Sequence, residues 1–207
     1  MSKYLLTQSL LSAWGYMHDC YEGCEDDAVE SFISTLRREQ TPTTEVQQNG
    51  IDFEDEVYKV SHGLPREPHP EWEEGIQAVA QRIKGAPNQI RVSRDLTVDG
   101  TDFLVYGKLD ALSAGTIYDV KFSNKSFNST DIYGKYLESP QHPTYFYCVP
   151  EANKFIYLVS DGKDLYTEEY TRQNTRSLES VVREFMSDVS SMKLFDTYRE
   201  FWEARGD

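Results

Sequence analysis

Residues 107–121, GKLDALSAGTIYDVK, predict a β-hairpin that carries charged side chains on both strands. A two-residue turn at Ala114-Gly115 would place Asp110 directly across from Asp119. The Cβ atoms of directly opposed residues lie about 4.5–5.5 Å apart, so the two carboxylates would face each other. A three-residue loop would shift this register by one residue. The hairpin is therefore a hypothesis that brings two acidic side chains together.

The same hairpin would bring basic side chains close to the carboxylates, because alternation along each strand puts Lys108 and Lys121 on their face. Facing carboxylates repel each other, and a divalent cation between them removes that repulsion. Hard oxygen ligands with room for water suit Mg²⁺ or Mn²⁺. A neighbouring lysine can stabilise phosphate charge or help to activate an attacking water. The alternative interpretation is a solvated hairpin face with cross-strand Asp and Lys residues.

The hydrophobic periodicity changes along the chain from helical to alternating, and later back to helical. Leu6, Leu10, Trp14 and Met17 share the first helical face. The predicted helices cover about 6–17, 29–36, 50–62, 72–83, 178–189 and 195–202, and a helical region at 130–149 is predicted with a break near Ser139-Pro140. The predicted strands cover about 89–98, 102–112, 116–123, 155–160 and 165–170, with Asp99-Gly100 as a second hairpin turn. This order predicts a mixed α/β (α+β) fold with a central sheet.

The composition excludes several classes of protein. The chain has 207 residues, of which 21 are basic and 35 acidic, so its formal net charge is −14. This charge argues against a general nucleic-acid coat protein, which neutralises phosphates over a wide face, but it allows an enzyme with a local basic groove. No apolar run approaches the roughly 20 residues of a membrane-spanning helix. Three cysteines imply no disulfide framework, and we expect a cytoplasmic protein.

Several short motifs resemble those of a known nuclease superfamily. Leu109-Asp110 followed by Asp119-Val120-Lys121 resembles the PD-(D/E)XK signature of restriction-endonuclease-like nucleases, with Leu109 in place of the usual proline. Three further matches resemble the RecB-like branch, which includes phage λ-type exonucleases. They are Gly50 with Glu54, Gly107 with Asp110, and Gln141 with Tyr145. The resemblance covers residues 50 to 145, and the motifs occur in the family's order.

The resemblance implies a fold and a set of roles. The fold would be an αβββαβ core at about 50–170 with helical extensions at 1–45 and 174–207, forming a single domain over 1–207. Glu54, Asp110 and Asp119 would bind one or two Mg²⁺ or Mn²⁺ ions, and the Val120 carbonyl would complete the shell. Lys121 would be the catalytic lysine.

Other implied roles concern the substrate. Gln141 and Tyr145 would position the lysine and contact DNA, on a helix that begins with Ser139 as N-cap and Pro140 in its first turn. The basic residues proposed as a local phosphate track are Lys108, Lys125, Lys135, Arg91 and Arg94.

The expected activity is that of a metal-dependent deoxyribonuclease, and an exonuclease is favoured over an endonuclease. It would act in recombination, repair or end processing in a bacterial or phage-infected cell. The alternatives are a structure-specific or single-strand endonuclease on the same fold, and a non-catalytic module that binds DNA or a protein partner. Each of these functions is compatible with a homo-oligomer or with a recombination protein as partner. DNA versus RNA, strand state and polarity stay open.

Two alternatives concern individual residues. Asp55 or Glu56 could replace Glu54 as a ligand if the helix phase differs. The N-terminal helix is similar to that of family members with an iron–sulfur cluster, but those need four cysteines, and this chain has Cys20, Cys24 and Cys148. We therefore expect no iron–sulfur cluster, and a zinc site at Cys20 and Cys24 lacks an evident fourth ligand.

Overall fold

The computed structural model describes residues 3–20, 22–127 and 132–204. Within these ranges the strands are β1 (Lys3–Thr7), β2 (Asn88–Val98), β3 (Thr101–Ser113), β4 (Thr116–Phe122), β5 (Lys154–Ser160) and β6 (Leu165–Thr171). The helices are α1 (Gln8–Asp19), α2 (Glu25–Leu36), α3 (Glu45–Ser61), α4 (Glu73–Arg82), α5 (Gln141–Cys148), α6 (Leu178–Ser191) and α7 (Phe195–Trp202). The predicted mixed α/β class and the αβββαβ element order are confirmed.

Two tight turns set the register of the central strands. Asp99-Gly100 has φ values of 49° and 80°, and Ala114-Gly115 has φ values of 48° and 76°. Positive φ at both central residues is the type I′ pattern, whose twist matches that of two paired strands. Ser113 therefore lies opposite Thr116, and the predicted two-residue turn between β3 and β4 is confirmed.

Strand β3 has different partners along its two edges. Strand β2 pairs antiparallel along one edge, from Thr101 to Ala111. Ala111 pairs with both β2 and β4, so β4 must lie on the edge of β3 that faces away from β2. Strand β1 pairs along the same edge as β4. There β1 runs parallel to residues 102–106, and β4 pairs with residues 111–113. Residues 107–110 consequently have no strand partner on that edge within the described chain.

Strands β5 and β6 extend the sheet beyond β4, and helices cover both of its faces. On one face, Phe53 and Val57 of α3 and Ile76 of α4 pack against Val120. On the other face, residues of α5 pack against alternate residues of β5, namely Phe155, Tyr157 and Val159. Because side chains alternate along a strand, Asp119 and Lys121 lie on the α5 face, opposite to Val120.

The N-terminal and C-terminal helices form a separate hydrophobic cluster at the β1 side of the sheet. Leu10, Phe32, Phe185 and Tyr198, from α1, α2, α6 and α7, are fully buried in it together with Phe103 of β3. The Tyr198 hydroxyl donates a hydrogen bond to the Leu5 carbonyl at 3.0 Å. None of the helices in the described ranges is long and apolar enough to span a membrane.

The start of the chain corrects the prediction of a helix beginning at Leu6. Leu6 belongs to β1 and pairs with Val105, and α1 begins only at Gln8. The Thr7 side chain accepts a hydrogen bond from the Leu10 N–H and so acts as the N-cap. A short apolar run such as Tyr4-Leu5-Leu6 has no periodicity that separates strand from helix.

The predicted helix at 130–149 is also shorter than expected. Its first residues, up to 131, lie outside the described part of the chain, and residues 132–140 form turns. Helix α5 begins at Gln141, with Pro140 rather than Ser139 as its N-cap. Ser139 still contributes, because its hydroxyl oxygen accepts a hydrogen bond from the Gln141 N–H at 3.3 Å. Pro143 falls in the first turn, where its missing N–H costs no helical bond.

Candidate active site

Asp110 lies where β3 and β4 separate. The ladder between these strands ends at the pair of Ala111 and Tyr118, so the predicted direct pairing of Asp110 with Asp119 is not formed. Instead, Asp110 Oδ2 accepts a hydrogen bond from the Val120 N–H at 2.8 Å. The carboxylate thereby replaces a strand partner at the point of divergence, which keeps Asp110 close to the β4 residues that follow.

Asp119 and Lys121 form an ion pair beside this junction. Lys121 Nζ lies 2.7 Å from Asp119 Oδ2, although without the angles of a hydrogen bond. Asp119 is 2% exposed, and its other oxygen, Oδ1, accepts a short hydrogen bond from the Gln141 side-chain amide. Gln141 is itself buried on α5. The Gln141 bond therefore fixes a carboxylate that the strand alone would leave free to rotate.

The buried charges shift one another's pKa values. Burial, together with the negative charges of Asp119 and Glu54, raises the pKa of Asp110 well above its usual value. Burial also raises the pKa of Asp119, against the opposing effect of Lys121. Although burial lowers the pKa of Lys121, the Asp119 and Asp110 carboxylates outweigh it and raise that pKa. Lys121 is thus an ammonium group in a region of concentrated negative charge.

Glu54 reaches the same region from α3. Its Oε1 accepts hydrogen bonds from the Tyr58 hydroxyl at 2.7 Å and from the Gln89 amide at 2.8 Å. The neighbouring acidic residues point elsewhere: Asp55 is exposed, and Glu56 pairs with Lys59 at 2.7 Å and with Arg66. Of the three acidic candidates on this helix, Glu54 is therefore the one on the side of the aspartates.

The acidic side chains of this region are oxygen donors of the kind that bind divalent cations. Among the residues that the structure describes, no group of three His, Cys, Asp or Glu side chains is already arranged as a metal-binding cluster. Asp119 Oδ2 is nevertheless buried, with no hydrogen bond and only the Lys121 ammonium beside it, and the half-buried Asp110 carboxylate lies close enough to feel its charge. Such carboxylate oxygens are the ligands that Mg²⁺ and Mn²⁺ prefer. The two aspartates fit a cation by chemistry, and the full predicted set of Glu54, Asp110, Asp119 and Val120 stays a proposal.

Helix α5 supports the site from the interior. The Tyr145 hydroxyl donates to the Lys108 carbonyl at 2.7 Å, on the edge of β3 that lacks a strand partner. Tyr145 is 2% exposed and Gln141 is 6% exposed. Both predicted motif residues thus lie inside the protein, where their described contacts position Asp119 and β3. A direct contact of either side chain with DNA stays a prediction.

The predicted basic residues are spread over different surfaces. Lys125 and Lys135 line one cavity of about 720 Å³ that also contains Phe122, the residue after Lys121. Lys108 is exposed on β3 and lies across from Arg91 on β2. Arg94 donates to the Tyr147 carbonyl at 3.0 Å and stacks on the Tyr147 ring. This cavity, whose wall begins at Phe122 directly after Lys121 in the chain, is therefore the place where two of the predicted lysines come together.

Two residues of this site were not predicted from the sequence. Tyr58 follows Glu54 by one helical turn, and that spacing could have identified it as a hydrogen-bonding partner. Burial and the negative charges of Asp110 and Glu54 raise the pKa of Tyr58, which keeps its hydroxyl protonated. Gln89 gave no sequence signal, because its role depends on a backbone conformation with a φ of 53°.

Comparisons with known proteins identify a fold. No family model and no curated protein matches the chain. The chain is similar to the crystal structure of SSO0001, with a TM-score of 0.52 and 13% identity over 93% of this chain and 77% of that one. The matches also include LHK-Exo in complex with dAMP, with a TM-score of 0.47 and 13% identity over 95% and 89% of the two chains.

A further match is Rai1 of Scheffersomyces stipitis, with a TM-score of 0.44 and 11% identity. The match covers 92% of this chain and 59% of Rai1. At identities this low, the likeness to SSO0001 shows a shared fold. The chemistry of the site must therefore be inferred from its own side chains.

Proposed function

We propose that this chain is a Mg²⁺- or Mn²⁺-dependent deoxyribonuclease, of the RecB-like branch of the PD-(D/E)XK superfamily, that acts as an exonuclease. The observation that carries the proposal is the charged group formed by the buried Asp119 with the half-buried Lys121 ammonium and by the half-buried Asp110 on the Val120 N–H. Burying the Asp119 charge and holding a second carboxylate close to it costs stability, so such a group points to chemistry rather than to structure.

Each residue has a role that its contacts support. Asp110 and Asp119, with Glu54 and the Val120 carbonyl, would hold the cation, which when bound lowers the pKa of a water and neutralises charge on the phosphate. Lys121 would orient the attacking water and stabilise the charge that develops on the phosphate oxygens. The attacking water would give up a proton as its oxygen bonds to phosphorus, the bond from phosphorus to the leaving oxygen would break, and that oxygen would take up a proton.

The substrate would approach from the cavity beside Lys121. Lys125 and Lys135 on its wall supply positive charge in a chain whose net charge is −14, and Phe122 and Tyr136 supply aromatic surface. A local basic and aromatic wall suits a DNA strand, because phosphates contact the lysines and bases stack on rings. The resemblance further suggests a role in recombination, repair or end processing.

The test uses end-labelled linear DNA and covalently closed circular DNA, each with Mg²⁺, Mn²⁺ or EDTA. We expect metal-dependent shortening of the linear DNA with the circle intact, since an exonuclease needs an end. Lys121→Ala should abolish this activity, whereas Lys84→Ala, at an exposed lysine on another surface, should retain it. Full activity of Lys121→Ala would refute the assignment.

The alternatives give different results in the same experiment. Nicking of the closed circle would identify an endonuclease on this fold. No cleavage of either DNA, together with no Mn²⁺ binding in calorimetry, would favour the non-catalytic binding module.

A further inference from the structure

Gln89 occupies a special position opposite Asp110. In the ladder between β2 and β3, Asn88 pairs with Ala111 and Ile90 pairs with Leu109. The register therefore places Gln89 across from Asp110, but these two residues do not form a ladder pair. The irregularity in β2 thus lies beside the acidic residue at which β3 and β4 separate.

The backbone of Gln89 causes this irregularity. Its φ of 53° lies in the left-handed region, which is uncommon for a residue other than Gly, Asn or Asp. Unlike Asp99 and Ala114, which have similar φ values, Gln89 is not part of a hairpin turn. Strained backbone outside a turn is a reason to look for a local function of the side chain.

The Gln89 side chain closes a triangle of hydrogen bonds. Its Nε2 donates to Glu54 Oε1 at 2.8 Å and to the Tyr58 hydroxyl oxygen at 2.7 Å. The Tyr58 hydroxyl in turn donates to the same Glu54 oxygen at 2.7 Å. Within the described residues, no hydrogen bond reaches the second oxygen, Glu54 Oε2. One carboxylate oxygen is thus fixed by two donors, and the other stays available.

We propose that Gln89 and Tyr58 are positioning residues that hold the Glu54 carboxylate for a divalent cation shared with Asp110 and Asp119. This inference rests on the proposed function. The left-handed backbone at Gln89 directs its side-chain amide from β2 to Glu54 of α3. The strand thereby fixes the position of the Glu54 carboxylate. Neither residue touches the reacting phosphate in this role.

The test is a titration of the metal-free protein with Mn²⁺ by calorimetry, carried out well below the thermal midpoint so that every variant is folded. Gln89→Gly removes the amide and at the same time relieves the left-handed backbone. We expect the Kd for Mn²⁺ to rise about tenfold or more, as for other partners of metal ligands. The thermal midpoint should stay within about 3 °C of wild type, because relief of strain offsets the lost hydrogen bonds.

Lys193→Gly is the matched control, because Lys193 has a φ of 59° and is exposed in the connection between α6 and α7. It should leave the Kd unchanged. Tyr58→Phe should also weaken Mn²⁺ binding. The double variant should lose less than the product of the two single losses, since both donors act on one oxygen.

The outcomes separate this inference from the proposed function. A wild-type protein that neither binds Mn²⁺ nor cleaves DNA would overturn the proposed function. A wild-type protein that does both, with a Gln89→Gly variant whose Kd is unchanged or lower, would overturn the positioning role alone. Fully multiplicative losses in the double variant would also refute a shared clamp on Glu54.

Discussion

Gly107 and Tyr145 are complementary in shape: the Tyr145 ring occupies the space that a Cβ atom on residue 107 would need. The Tyr145 hydroxyl donates a hydrogen bond to the carbonyl of Lys108, the residue that follows the glycine, at 2.7 Å. The glycine of the predicted Gly-x-x-Asp motif and the tyrosine of the Gln-x-x-x-Tyr motif thus form one contact. It joins α5 to the unpaired edge of β3, next to Asp110.

Gly107→Ala should therefore destabilise the fold. The added methyl group must displace the buried Tyr145 ring, and such overpacking typically costs about 1–3 kcal/mol. Urea denaturation followed by circular dichroism measures the effect. The matched control is Gly50→Ala, because Gly50 lies within α3 with open space around it, and alanine there should stabilise by about 0.5–1 kcal/mol. Equal stability of wild type and Gly107→Ala would contradict the described contact.

Gln141→Ala should reduce nuclease activity, and it should also lower the free energy of unfolding by about 1–3 kcal/mol, because the buried Asp119 Oδ1 loses its Gln141 donor. Its amide is the donor that fixes Asp119 Oδ1, so its loss frees the carboxylate to rotate. We expect cleavage of linear DNA to slow about 10–100-fold, mainly in kcat. Gln77→Ala is the control, because Gln77 makes a similar bond to Glu73 on the surface of α4. A Gln141→Ala variant as active as Gln77→Ala would exclude this positioning role.

His142 should make the fold less stable in mild acid. Burial, and next the charge of Arg176, lower the pKa of His142 to about 3. As the pH falls below about 6.5, the unfolded chain takes up a proton that the folded protein does not, so the free energy of unfolding decreases. Between pH 6.5 and 5, this residue should contribute a loss of about 1–2 kcal/mol.

His142→Asn separates this effect from those of other groups. Asparagine can keep a hydrogen bond to the Tyr157 hydroxyl, which now lies 3.1 Å from His142 Nδ1, but it does not titrate. Urea midpoints measured from pH 5 to 7 should fall more steeply in wild type than in this variant. His62→Asn, which replaces an exposed histidine, should give a curve parallel to wild type. Parallel curves for His142→Asn would show that a charged imidazole is tolerated there.

The hairpins could be predicted because their signals are local. Asp99-Gly100 and Ala114-Gly115 are short turn sequences that accept positive φ, and the side-chain alternation on either side fixes the strands. From the second turn the register follows by counting, as far as Ala111 and Tyr118. Motif and spacing likewise selected Glu54, Asp110, Asp119 and Lys121, whose catalytic and metal-binding roles stay predictions.

The remaining features depend on contacts between distant parts of the chain. β1 was missed because its pairing partner lies about a hundred residues away and its own sequence fits a helix equally well. The separation of the strands at Asp110 depends on a side chain that takes the place of a backbone partner. The left-handed conformation of Gln89 accompanies side-chain bonds to α3, a distant part of the chain, and no local sequence pattern indicates it.

Strand β1 occupies part of the β3 edge that it shares with β4, and it thereby covers backbone groups that would otherwise be unpaired. With β1 in place, the part of this edge between β1 and β4 that has no strand partner among the described residues is 107–110, and Tyr145 of α5 contacts it. Without β1, the unpaired edge would extend from residue 102 to residue 110. A long open edge offers its N–H and C=O groups to any other extended chain. The N-terminal strand therefore satisfies the backbone groups of residues 102–106 and shortens the open edge of β3 beside the candidate active site.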